Sequence, residues 1–165
     1  MMSKSARNLQ LAFTGESEAS RKYLAFAKRA EEEGFRKAAR LFRAVAAAET
    51  INAHNHLKEL GGIQSTMDNL RAAVNGEVRE FAIKYPQMIS DAESEGRGNA
   101  VRTFRYANEV EKNHAALCLK ALEELGINND DDYYVCRVCG YTVEGEAPDD
   151  CPVCRARKQA FMIAQ

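Results

Sequence analysis

The sequence contains 165 residues, of which 45% are hydrophobic and 28% are charged, and its net charge is −1. This composition is typical of a soluble globular protein, and the lack of a basic surplus argues against nucleic acid or an anionic membrane as a partner. No apolar run approaches the roughly 20 residues that a membrane span needs. The first residues also lack the apolar segment of a signal peptide, so we expect a cytoplasmic protein.

Residues 7–125 carry four apolar stripes at helical spacing. Glycine-containing breaks separate the stripes, at Gly34, at Gly61 and Gly62, at Gly96 and Gly98, and at Gly126. Chain reversals are cheap at such positions, so the pattern predicts a mainly α fold with a four-helix bundle over residues 1–125. Pro86 lies within the third stripe and is expected to kink or end that helix near Tyr85.

The helical region repeats itself with an offset of 62 residues. The matched pairs include Tyr23 with Tyr85, Gly34 with Gly96, Phe42 with Phe104, Arg43 with Arg105, Glu49 with Glu111, and Leu57 with Leu119. We therefore predict two related helix pairs that face each other across a pseudo-twofold axis. The same offset sets Asn52 against His114, so Asn52 occupies the place of a histidine.

Each stripe also carries a glutamate near its middle. These are Glu16, Glu49, Glu77 and Glu111, while Glu80 and His114 follow the third and fourth of them by three residues. Residues three apart share a helix face. A single glutamate in such a stripe more often lies at the edge of the stripe and forms an ion pair. Five inward carboxylates at matched depth, however, repel one another unless cations neutralise them.

We therefore predict a pair of divalent metal ions bridged by Glu49 and Glu111, as in di-iron and di-manganese carboxylate bundles. Oxygen-rich ligation with little imidazole suits iron or manganese better than zinc. The offset of 62 matches Glu80 with Glu18 and leaves Glu77 without a counterpart. We prefer Glu16 to Glu18 as a ligand because Glu18 lies off the apolar stripe.

Four of the five cysteines lie in two Cys-x-x-Cys knuckles, whereas Cys118 stands apart and is interpreted as a core residue. The knuckles are Cys136 with Cys139 and Cys151 with Cys154. This spacing indicates a tetrahedral four-thiolate metal site that staples a small domain over residues 133–165, behind a polar linker at 126–132. The metal is iron if the site carries electrons and zinc if it is structural.

The motifs together resemble those of the rubrerythrin family. "AFTGESEASRKY" resembles its first-helix motif, "NGEVREFAIKYP" its third-helix motif and "VEKNH" its fourth, while "YVCRVCGY" with "CPVC" resembles a rubredoxin-like iron site. The resemblance covers nearly the whole chain. It implies a ferritin-like di-iron four-helix bundle followed by a rubredoxin-like domain, with two iron ions in the first and one in the second.

The resemblance further implies a peroxidase that reduces hydrogen peroxide to water. Electrons would come from a redox donor protein, such as a rubredoxin or an NAD(P)H-dependent reductase, through the four-cysteine iron. Glu16, Glu77, Glu80 and His114 would be terminal iron ligands, and Tyr23 and Tyr85 would orient the carboxylates. The implied role is defence against oxidative stress by a homodimer or a larger oligomer.

Asn52 departs from the family pattern, which has a histidine at this position. Because an amide oxygen is a weak iron ligand, we expect either that Glu80 is a more permanent ligand or that water completes the first iron site. Asn52 then favours a second hypothesis, a ferroxidase or an O2-reducing protein with weakened peroxidase activity. A third hypothesis is a redox sensor or zinc-ribbon adaptor without catalysis.

Overall fold

Two helical hairpins and a small antiparallel sheet make up the computed structural model, which describes residues 3–127 and 131–164. Residues 128–130 of the predicted linker lie outside the described residues. The chain forms two compact units that divide between Gln64 and Ser65. Within the described ranges, none of the helices is long and apolar enough to cross a membrane.

The first unit is a hairpin of α1 (Lys4–Glu32) and α2 (Arg36–Glu59). The hydroxyl of Ser3 caps the start of α1 by accepting a hydrogen bond from the N–H of Ala6. Small residues at the contact allow the two helices to approach closely. The buried ones are Ser20, Ala27, Ala30, Ala39, Ala46 and Ala53.

The second unit begins with a helix that is regular at both ends and wound differently in the middle. It consists of α3 (Thr66–Arg79), a π-helix (Glu80–Lys84) and α4 (Tyr85–Ser94). Pro86 was expected to kink or end this helix near Tyr85, but the helix continues to Ser94, and the change of winding at Glu80–Lys84 precedes the proline. Pro86 lies in the first turn of α4, where a missing N–H is tolerated. α5 (Gly98–Glu123) then returns along α3 and α4.

The internal repeat is confirmed by matching contacts in the two hairpins. Arg43 pairs with Glu31 at 3.1 Å, and Arg105 pairs with Glu93 at 2.5 Å. Both hairpins turn at a glycine in the left-handed region, with φ of 83° at Gly34 and 67° at Gly96. The two halves therefore form the same hairpin from related sequences.

The π-helix explains why the offset of 62 fails to match Glu16 with Glu77. A π-helical turn holds one more residue than an α-helical turn, so the register before it shifts by one. Ahead of the π-helix the offset is 61, and it matches Asn8 with Asn69, Leu9 with Leu70, Ala12 with Ala73, Gly15 with Gly76, and Glu16 with Glu77. Glu16 is thus the counterpart of Glu77, as the choice of Glu16 over Glu18 requires.

The second unit ends in a three-stranded antiparallel sheet in the order β2-β1-β3. The strands are β1 (Tyr133–Cys136), β2 (Thr142–Glu144) and β3 (Phe161–Ile163). The largest fully buried side chains of the described residues are Cys136 and Cys151, so the thiol cluster is the core of this module. The predicted fold class, long helices followed by a small metal-stapled domain, is confirmed.

Candidate metal centres

A carboxylate–histidine cluster lies between α3 and α5 in the second unit, formed by Glu77, Glu111 and His114. Their donor atoms all lie within 4.8 Å of one another. Glu111 and His114 are one helical turn apart, and the imidazole Nδ1 is 2.9 Å from Glu111 Oε2. All three side chains are half-buried, so two carboxylates and an imidazole converge where water only partly solvates them.

The electrostatics of this cluster fit a bound cation. Burial, a hydrogen bond with Glu111 and the charge of Glu111 raise the pKa of Glu77 to about 7. A divalent ion would remove this repulsion by binding both carboxylates in their charged form. The donor set of oxygens with a single imidazole nitrogen suits iron or manganese.

The corresponding residues of the first unit also cluster. A hydrogen bond with Glu16, together with partial burial and the charge of Glu16, raises the pKa of Glu49, and a hydrogen bond from Asn52 opposes that shift. In the first unit the Asn52 amide therefore donates a hydrogen bond to Glu49. At the equivalent place in the second unit, His114 contacts Glu111. Glu18 points elsewhere and pairs with Lys22 at 2.5 Å.

Glu80 does not join the carboxylate–histidine cluster, although it lies on the π-helix next to it. Its Oε1 is 2.8 Å from Nζ of Lys84, one turn further along. The repeat places Glu80 opposite Glu18, which makes the same kind of ion pair with Lys22. The role of Glu80 as an iron ligand stays a prediction.

The two predicted tyrosines pack against matching phenylalanines. Tyr23 stacks on Phe42 with ring centroids 6.1 Å apart, and Tyr85 lies 6.4 Å from Phe104. Burial, with the charges of Glu111 and Glu80, raises the pKa of Tyr85. Its hydroxyl therefore stays protonated and able to donate a hydrogen bond.

The four-cysteine cluster (Cys136, Cys139, Cys151 and Cys154) is the second candidate centre. Its Sγ atoms lie within 4.8 Å of one another, and two of the separations are 3.7 Å and 3.6 Å. A metal with bonds of about 2.3 Å to sulfur has tetrahedral edges of about 3.8 Å, so the spacing fits one ion. Burial opposes ionisation of Cys136, but N–H donors from Val138 and Cys139 outweigh it and lower the pKa.

The structure also brings in a residue that the sequence did not single out. Thr142 on β2 contacts His114, with Oγ1 3.1 Å from the imidazole Nε2. A cavity of about 260 Å³ opens beside them and is also lined by Glu77 and Cys118. Because Thr142 is 28 residues from His114 and lies in a different secondary structure element, no spacing rule could have linked the two.

Two family models together match nearly the whole chain. The rubrerythrin model matches residues 7–122, and the model of the rubrerythrin rubredoxin-like domain matches residues 134–162. The chain is 35% identical to nigerythrin from Nitratidesulfovibrio vulgaris, over 93% of this chain and 83% of the relative. It is 36% identical to rubrerythrin-2 from Clostridium acetobutylicum, over 93% and 92% of the respective chains.

The fold is also similar to solved structures of nigerythrin. One of them, described as the fully reduced, all-ferrous state, has a TM-score of 0.61 and 34% identity, and the match covers 99% of this chain and 88% of that one. The predicted cofactors, a di-iron pair and one iron in the four-cysteine cluster, are confirmed at the level of the family. The chain therefore belongs to the rubrerythrin family, in which a di-iron domain is followed by a rubredoxin-like domain.

Proposed function

We propose that this protein is a non-haem di-iron peroxidase that reduces hydrogen peroxide to water with electrons passed through the four-cysteine iron. The observation that carries the proposal is the presence of the four-cysteine cluster and the carboxylate–histidine cluster in one compact unit. Each turnover consumes one H2O2, two electrons and two protons and forms two molecules of water. Iron storage alone would require no electron-carrying centre.

The ligands that we assign to the di-iron pair come from both hairpins. Glu49 and Glu111 would be the bridging ligands, and Glu16, Glu77, Glu80 and His114 the terminal ligands. When bound, the two ions supply two electrons and polarise the O–O bond as Lewis acids. The support for the assignment is the donor chemistry of each hairpin and the match of Glu16 with Glu77 across the π-helix.

The protein residues contribute proton control and access. Burial and neighbouring carboxylates raise the pKa of Tyr85, so its hydroxyl stays protonated. The hydroxyl can therefore orient a carboxylate by donating a hydrogen bond to one of its oxygens. We assign the same role to Tyr23 in the other hairpin. The cavity of about 260 Å³ beside Glu77 and His114 offers room for a molecule as small as hydrogen peroxide.

A second candidate function rests on Asn52, which is exposed and hydrogen-bonded to Glu49. Without an imidazole at this position, one iron has a weaker ligand set, which favours O2 reduction or iron oxidation with weakened peroxidase activity. The four-cysteine cluster lies in the same unit as His114. An electron-carrying centre there favours a peroxidase, which needs a supply of electrons, over a ferroxidase.

We place the protein in the cytoplasm as a homodimer or larger oligomer, supplied with electrons by a rubredoxin or an NAD(P)H-dependent reductase. Such a donor needs a close approach to the four-cysteine cluster. Val138, which neighbours Cys139 in the first knuckle, is 61% exposed. A donor protein can therefore approach within a few bonds of a thiolate ligand.

The proposal is tested by mixing the fully reduced protein with H2O2 or with O2 in a stopped-flow instrument. We expect the visible bands of the ferric four-cysteine site to return faster with H2O2 than with O2. The matched control carries zinc in the four-cysteine cluster, which preserves the tetrahedron but cannot carry an electron. Equal multiple-turnover rates in the zinc and iron forms, or a faster reaction with O2, would overturn the proposal.

A further inference from the structure

Three polar contacts join β2 to α5 within the second unit. The side-chain amide of Asn113 donates to the carbonyl oxygen of Thr142 at 2.7 Å, and Nζ of Lys120 lies 2.6 Å from Oε2 of Glu144. The third contact is that of His114 Nε2 with Thr142 Oγ1 at 3.1 Å. Since side chains alternate along a strand, Thr142 and Glu144 both face α5.

Counting protons at Thr142 determines which nitrogen of His114 carries hydrogen. The hydroxyl has one hydrogen and lies 3.1 Å from the carbonyl oxygen of Gly140, which can only accept. The hydroxyl hydrogen therefore goes to Gly140, and Oγ1 accepts a hydrogen bond from Nε2–H of His114. The carboxylate of Glu111, 2.9 Å from Nδ1, can also only accept, so Nδ1 is the donor of that contact in the metal-free protein. A metal ion that binds Nδ1 would take the place of this hydrogen, while Nε2–H stays with Thr142.

The same hydroxyl connects His114 to the first cysteine knuckle. Gly140 is peptide-bonded to Cys139, and its own N–H donates to the carbonyl oxygen of Cys136 at 2.8 Å. Two hydrogen bonds, from His114 to Thr142 and from Thr142 to Gly140, thus join the carboxylate–histidine cluster to the backbone of the four-cysteine cluster.

We infer that Thr142 is a positioning residue that sets the tautomer of His114, directs Nδ1 towards the carboxylate–histidine cluster and connects that cluster to the four-cysteine cluster. Orientation of a histidine ligand by its second nitrogen strengthens metal binding. The part of the inference in which this path carries electrons rests on the proposed function. With iron bound in both clusters, each transfer would move one electron from the ion held by the four cysteines to the ions held at the carboxylate–histidine cluster, and no bond would break.

The tautomer is tested with two variants, Thr142→Val, which removes the hydroxyl at nearly constant shape, and Thr142→Ser, which keeps it. In protein that carries zinc only in the four-cysteine cluster, with 15N-labelled histidine, we expect the Nε2-protonated signature for His114 in the wild type and in Thr142→Ser, and its loss in Thr142→Val. Zinc binding at the carboxylate–histidine cluster should weaken about 10- to 100-fold in Thr142→Val and stay within about threefold in Thr142→Ser.

A matched control separates the hydroxyl from the general packing of β2. Lys120→Met removes the contact with Glu144 and leaves Thr142 and His114 in place, so we expect an unchanged His114 signature. An unchanged signature in Thr142→Val, or an equal loss of zinc affinity in Lys120→Met, would overturn the inference. If Thr142→Val loses the visible bands of the four-cysteine iron, the comparison of Thr142→Ala with Thr142→Ser decides the same question.

The electron path has its own readout, the rate at which peroxide reoxidises the reduced four-cysteine iron. We expect this rate to fall at least about tenfold in Thr142→Val and to recover in Thr142→Ser, in line with the loss of an orienting hydrogen bond. An unchanged rate would overturn the path. If the wild-type protein does not react with peroxide, the proposed function is wrong. The tautomer experiment would still test the effect of Thr142 on His114.

Discussion

Lys84 and Glu80 form an ion pair, with 2.8 Å between Nζ and Oε1, and Glu80 is not among the three clustered donors Glu77, Glu111 and His114. The partners are one helical turn apart, and the side chains are 47% and 34% exposed. Exposed pairs of this kind contribute little, typically about 0–1 kcal/mol. Glu80 is thus held by an interaction weak enough for a metal ion to displace.

Replacing Lys84 should strengthen metal binding. In Lys84→Met the Glu80 carboxylate becomes free and a positive charge near Glu111 disappears. Both changes favour a cation, and we expect zinc to bind up to about fivefold more tightly in a calorimetric titration. Lys22→Met is the matched control, because Lys22 pairs with Glu18 at the equivalent site of the other hairpin. Equal effects of the two variants would contradict a ligand role for Glu80.

Restoring a histidine at position 52 should complete the first hairpin's donor set. We expect Asn52→His to raise iron affinity on the order of tenfold, about 1.4 kcal/mol, and to speed the reaction with peroxide. Iron content and stopped-flow rates measure the two effects, with His54→Asn, at an exposed residue of the same helix, as control. If neither iron content nor rate changes, position 52 does not contact the metal.

The metal-free protein should lose stability as the pH rises towards neutrality. The pKa of Glu77 is about 7 in the folded state, above its ordinary value of 4.5, so folding binds a proton that the unfolded chain releases more easily. The stabilisation is complete below about pH 4.5 and is lost as the pH rises through about 7.

Urea titrations of the metal-free protein, followed by helical circular dichroism at several pH values, measure this effect. Glu77→Gln should flatten the dependence, since the amide does not titrate. A divalent metal should stabilise the protein above about pH 7, where the carboxylates are charged. If the free energy of unfolding instead rises between about pH 4.5 and 7, the raised pKa of Glu77 beside Glu111 is wrong.

Removal of metal from the four-cysteine cluster should unfold the C-terminal module and spare the helices. The module has no other large buried side chains among the described residues, so the ion holds its core together. We expect amide hydrogen exchange to lose protection in β1, β2 and β3 and to keep it in α1 and α2. Protection of the strands after complete metal removal would show that the module folds without the ion.

Much of the fold could be read from local sequence, because the signals act over one or two turns. Helical spacing located the long helices, Gly34 and Gly96 marked their turns, and Cys-x-x-Cys spacing located the module. The register of the repeat was harder to read. Glu77 seemed unmatched because the additional residue of the π-helix changes the offset from 61 to 62, and a single offset cannot follow that change.

By itself the sequence determined which residues could be ligands, because spacings of three along a helix and of three in a knuckle bring donors together through local geometry. It also determined the internal repeat, and with it the contrast between Asn52 and His114. Only the tertiary structure placed Thr142 against His114. That contact depends on the packing of β2 against α5, which no local pattern encodes, whereas the pairing of Glu80 with Lys84 follows the ordinary spacing of four residues along a helix.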